Sequence, residues 1–158
     1  MTSLLPGITS LAGAIQLSVA PVFLLAGVGA TLNVLASRIG RIIDRARTYE
    51  ERLERSTGDA ATQLTSRLQA LSRRAALISW AIGLSVICAL LVSLVVTGLF
   101  LSAALAIDLT LPIAIGFVVA LLSLALALLL FLREVVIANA AMTFGGTKVA
   151  KEAKGKKP

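Results

Sequence analysis

Residues able to do chemistry are few in this chain, and they gather where apolar runs end. There is no histidine and one cysteine, Cys88. Disulfide frameworks, Cys/His zinc sites, haem ligation by histidine and His-dependent acid-base catalysis therefore have no residues to work with. No nucleophile-base pair or metal-ligand cluster is legible, so an enzyme is the weakest functional class, and no cofactor or metal is expected. The Gly145, Gly146, Thr147, Lys148 stretch has the look of a phosphate loop but lacks its glycine spacing, the following Ser/Thr and a preceding strand.

What remains is charge and polarity. Arg38, Arg41, Arg45 and Arg52 fall on one stripe of a helix, with Asp44, Glu51 and Glu54 on another side. Such a cationic face suits anionic lipid headgroups or an acidic partner, and its simplest origin is the enforcement of membrane orientation. Glu134 follows Arg133 at the end of the last apolar run, and an ion pair with a loop arginine is its natural use. Asn33 and Gln16 are the polar exceptions inside the first apolar run, and interhelical hydrogen bonding is the commonest role of such residues. Small residues recur on helical faces, Ala26, Gly29, Asn33, Ser37 and Gly40 in the first run and Gly116, Ala120, Ser123 and Ala127 in the last. They favour close helix packing, within the chain or between copies.

The elements positioning these residues follow from the distribution of charge. The chain has 158 residues, 58% hydrophobic and only 15% charged, against about a quarter charged in soluble domains. No Asp, Glu, Lys or Arg occurs in residues 1–37, 75–107 or 109–132. A helix crosses the bilayer core with roughly 20 such residues, so each stretch is long enough. No basic residue precedes the first run, which continues to Arg38 rather than to a cleavage site, so it reads as a retained span and not a leader. Residues 38–74 hold nine arginines against five acids, residues 133–158 six basic residues against two acids, and the intervening loop only Asp108. All fifteen basic residues thus fall on one side of a three-span arrangement. The positive-inside rule makes that side the cytoplasm and puts the N-terminus outside.

The pattern predicts an all-α fold: three transmembrane helices, the first two extended by a cytoplasmic antiparallel helical hairpin. A 3-4 apolar series runs from Leu25 through Leu32, Leu35, Ile39, Ile42, Ala46 and Tyr49 to Leu53, and a second from Ala61 through Leu64, Leu68, Leu71, Ala75 and Ile78 to Ile82. Between them Gly58 suits a left-handed helix end and Asp59 an N-cap. Pro21 either kinks the first helix or marks its start. The divisions are an N-terminal segment and first span (1–37), the Arg-rich hairpin (38–74), the second span and outer turn (75–107), the third span (108–144), and a Lys-rich tail expected to be disordered (145–158).

The run "IQLSVAPVFLLAGVGATLNVLASRIGRIIDRAR" at residues 15–47, with its APVFLL segment, spaced glycines, Asn33 and IxDRAR, followed by "LLLFLREV" at residues 128–135, resembles a membrane-protein family catalogued as domain of unknown function 2721. The resemblance implies a multi-pass protein of a bacterial inner membrane and no assigned activity. With it, the residues point to a non-enzymatic adaptor or accessory subunit acting through the hairpin. A homo-oligomeric channel or small transporter is the competing class. The expected partners are the bilayer and a second copy or another membrane protein. Nucleic acid is not expected, because topology already explains the basic residues and no aromatic stacking surface accompanies them.

Overall fold

A computed structural model describes the backbone of residues 5–105 and 107–154 and the side chains of residues 12–105 and 107–138. The described chain consists of three helices, α1 (Leu5–Glu54), α2 (Asp59–Leu105) and α3 (Thr110–Lys154). At about 1.5 Å per residue, the 50 residues of α1 extend about 75 Å, more than twice the ~30 Å hydrocarbon core of a bilayer. Helix α2, with 47 residues, is nearly as long. Each of the three has a stretch long and apolar enough to cross a membrane, and in α1 and α2 the helix continues without a break from that stretch into a charged arm.

The arms meet at a tight turn. Gly58 has a φ of +67°, a conformation that L side chains adopt only with strain. Its carbonyl accepts the Thr62 N–H at 3.3 Å, the opening bond of α2. Gly58 therefore both ends the turn and caps the return helix, while Asp59, expected as the N-cap, is the first helical residue and places its carboxylate in the positive first turn. The second connection is tied by Ser102, whose hydroxyl donates to the Ile107 carbonyl at 2.6 Å, and by Asp108, whose carboxylate accepts the Thr110 N–H at 3.0 Å.

Helix α2 packs against both neighbours, whereas α1 and α3 touch only over a short stretch. Buried residues recur every seven positions on all three helices: Val28, Leu35 and Ile42 on α1, Leu71, Ile78, Ser85 and Val92 on α2, and Ala120, Ala127 and Glu134 on α3. That spacing is the signature of helices packed at a shallow left-handed crossing. One cluster, Leu35, Ile42, Leu71, Ile78 and Ala81, joins the charged arms to the spans, with Ala46, Tyr49 and Ala75 packed against it. A second, Val28, Cys88, Val92 and Ala120, lies deeper in the apolar region. Only the first adjoins arms exposed to water, where burial of apolar area is itself stabilising by about 25 cal/mol per Å². Within a bilayer, lipid is as apolar as leucine, and close packing must hold the helices instead.

Close packing accounts for Gly116. A Cβ placed there would lie 3.3 Å from Val95 Cγ2, and one at Gly98 would lie 3.2 Å from Ile113 Cγ1. Both glycines let α2 and α3 approach more closely than alanine permits without a shift of the facing side chain.

One feature settles a choice the sequence left open. Pro21 lies inside α1, which neither starts nor ends there. Helix α3 continues through Gly145 and Gly146 to Lys154. Ala, Lys and Glu are intrinsically good helix formers, and a helix carried in from the span needs no new nucleus to extend over residues 147–154 despite about 1 kcal/mol for each glycine.

Candidate functional site: a buried carboxylate between two arginines

The one buried acidic or basic side chain among the described residues is Glu134, which is 1% exposed. It lies on the inner face of α3, seven residues beyond buried Ala127, so the packing that seats Ala127 also turns Glu134 inward. Both carboxylate oxygens are occupied. Arg38 of α1 donates from Nη1 to Oε2 at 2.8 Å. Arg74 of α2 donates to Oε1 from Nη2 at 2.7 Å and from Nε at 3.3 Å. The Arg38 guanidinium also lies over the Phe131 ring, 5.0 Å from its centroid, a cation-π contact.

Sequence position explains why these three residues meet. Arg38 stands three residues after buried Leu35 and four before buried Ile42, and Arg74 stands in the same relation to Leu71 and Ile78. Each therefore sits on the edge of the packed face of its helix, within reach of the third. Arg38 is the first charge after the apolar stretch of α1, Arg74 the last before that of α2, and Glu134 the first acid on α3 after Asp108. All three helices thus change from apolar to charged at one level, and the clamp joins them there.

Burying a lone carboxylate is costly, and here it is offset by charge-assisted bonds from two guanidiniums. The arginines keep contact with the surroundings, their side chains being 31% and 23% exposed. The clamp carries a net positive charge, and most of the N–H groups of Arg38 are not used by Glu134.

The other candidates lie elsewhere. Arg41, Arg45 and Arg52 are exposed along α1, so of the predicted basic stripe only Arg38 enters the clamp. Arg52 borders a shallow depression of about 470 Å³ at the turn, shared with Thr48, Glu51, Arg55, Ser56 and Leu64. Ala120 is fully buried against Val28, Cys88 and Val92, while Ser123 is half-buried and donates to its own Val119 carbonyl at 2.9 Å. Gly29 and Asn33 are exposed on the side of α1 turned away from α2. The missed participants are Arg74 and Phe131. Arg74 was legible in principle, because its place between Leu71 and Ile78 separates it from its neighbour Arg73, which faces outward.

At the opposite end, α1 and α3 stand apart and leave a groove of about 1100 Å³ bounded by Ala14, Leu17 and Pro21 of α1, Val95 and Leu99 of α2, and Phe117 of α3. It is closed beneath by Val28, Cys88, Val92 and Ala120.

Three helices of this length and apolarity, joined by a buried charge cluster at the edge of their apolar stretches, define an all-helical, multi-pass membrane protein. The chain belongs to the family described as "Protein of unknown function (DUF2721)", whose model matches residues 18–144 and so includes all three clamp residues. No curated protein and no solved structure matches the chain.

Proposed function

We propose that this protein is a non-enzymatic adaptor or accessory subunit of a bacterial inner membrane, with its N-terminus outside and the charged arms of α1 and α2 forming a cytoplasmic hairpin that contacts a partner. The observation that carries this reading is the Glu134 clamp. It fixes α3 to both arms at the membrane boundary, so the arms project as one body rather than as two swinging helices. About 25 Å of α1 lies beyond Ser37, with its apolar spine turned inward and its charges outward. The orientation rests on the one-sided distribution of the basic residues.

Asn33 supports association with another membrane helix. Its amide is exposed within the apolar stretch of α1 and faces away from the rest of the chain, where lipid offers no hydrogen-bond partner. A second copy or another membrane protein would supply one. The outer groove favours the competing reading, a homo-oligomeric channel or small transporter. The apolar cluster beneath the groove weighs against a path through a single copy, so such a pathway would have to run between copies.

Native mass measurement in mild detergent, with identification of co-purifying proteins, tests the adaptor reading. A strictly monomeric protein without partners would count against it. Labelling of a Gly58→Cys variant in a Cys88→Ala background by an impermeant reagent on intact cells would reverse the orientation.

A further inference from the structure

We propose that Arg38 and Arg41 hold the phosphate of an anionic phospholipid headgroup at the cytoplasmic boundary, with Arg38 offering the N–H groups that Glu134 leaves free. This rests on the orientation proposed above and adds a ligand of stated chemistry.

Glu134 engages Arg38 through Nη1 alone. A guanidinium has five N–H donors in a rigid fork, so the remaining ones on this 31% exposed side chain are available outside the clamp. The fork is already held, by the carboxylate on one side and by its place over the Phe131 ring. Arg41 is exposed one helical turn further on, close enough to share one phosphate with Arg38. The two ion pairs among the described residues are those of Glu134 with Arg38 and Arg74, so Arg41 is not neutralised by a described carboxylate.

Height decides which arginines can take part. The headgroup layer adds about 5–7 Å to each side of the hydrocarbon core. Along α1, at about 1.5 Å per residue, Arg41 lies about 4.5 Å beyond Arg38, Arg45 about 10 Å and Arg52 about 21 Å. With Arg38 at the hydrocarbon boundary, Arg38 and Arg41 therefore stand within the headgroup layer, and Arg45 and Arg52 beyond it. Arg73 and Arg133 are exposed next to Arg74 and Glu134 and add positive charge at the same level, whereas Glu134 is its one acid and is already spent on the clamp.

The test uses the full chain in mild detergent at fixed ionic strength. Lipid retention is measured by native mass spectrometry, and thermal midpoints are measured with added phosphatidylglycerol, phosphatidylcholine or inorganic phosphate. Phosphatidylglycerol is expected to be retained and to raise the midpoint more than phosphatidylcholine. Arg41→Gln, a change at an exposed position, is expected to weaken phosphatidylglycerol binding about fivefold, while Arg52→Gln leaves it unchanged. Equal effects of the two lipids would overturn the proposal, as would equal losses from Arg41→Gln and Arg52→Gln. Reproduction of the stabilisation by inorganic phosphate would also overturn it, by assigning the site to a free anion.

Discussion

Arg38 Nη1 lies 2.8 Å from Glu134 Oε2, joining two residues 96 positions apart and bringing α1 onto α3, which it otherwise barely touches. Because Arg74 grips the other oxygen, one carboxylate fixes the relative positions of all three helices. Glu134→Gln removes the charge and leaves two guanidiniums facing each other. Disrupting buried ion pairs of this kind costs about 3–5 kcal/mol, and the partial exposure of both arginines places this one near the lower figure. Thermal unfolding in detergent, read by circular dichroism, should record a loss of about 3 kcal/mol, and limited trypsin treatment should cut the arms sooner. A variant as stable and as resistant as the parent would remove the clamp from the account of rigidity.

How far the clamp was legible follows from its residues. Glu134 stood out as an acid at the end of an apolar run, and the need for an arginine partner followed from charge alone. Which arginine was not readable from charge, since nine lie in residues 38–74. Helical phase separates them: Arg38 and Arg74 border the buried series of their helices, while Arg41, Arg45, Arg52 and Arg73 point outward. The separation of α1 from α3 at the end away from the clamp had no such signal. It depends on how three long helices diverge, and no residue type marks a space between them.

Close approach of α2 and α3 depends on Gly116. Its missing Cβ leaves room for Val95, and a leucine there would force the two helices apart. Overpacking of this kind destabilises by about 1–3 kcal/mol. Gly116→Leu should lower the thermal midpoint, whereas Gly29→Leu should leave the monomer's stability nearly unchanged, because no atom lies within 4 Å of a Cβ at that exposed position. Equal losses from the two variants would show that helix glycines are interchangeable here and that the α2–α3 contact is not close-packed.

At the loop between α2 and α3, hydrogen bonds from the Thr110 side chain and backbone hold the Asp108 carboxyl below its ordinary value. A depressed folded-state value means that this local contribution is present above the ordinary carboxylate range and is lost as the pH falls through the folded-state value. The Thr110 amide resonance should therefore titrate with a midpoint below that of a free aspartate and stay flat in Asp108→Asn. An ordinary midpoint would show that the carboxylate does not cap α3 in solution.

Asn33 separates the two functional readings. Its amide lies on the exposed side of α1, opposite the face that packs on α2, so replacing it should not disturb the bundle itself. Under the adaptor reading, Asn33→Leu removes an interhelical hydrogen bond to a second chain, and such bonds in membranes contribute about 1 kcal/mol or less. The self-association constant of the purified protein should then fall by up to about fivefold, with the thermal stability of the single chain retained. Liposomes containing the parent protein should carry no ion flux. Under the channel reading, the same amide would line a path between copies, and its loss would change a measurable conductance. A reproducible conductance that depends on Asn33 would overturn the adaptor reading. Unchanged association together with silent liposomes would remove both roles from Asn33.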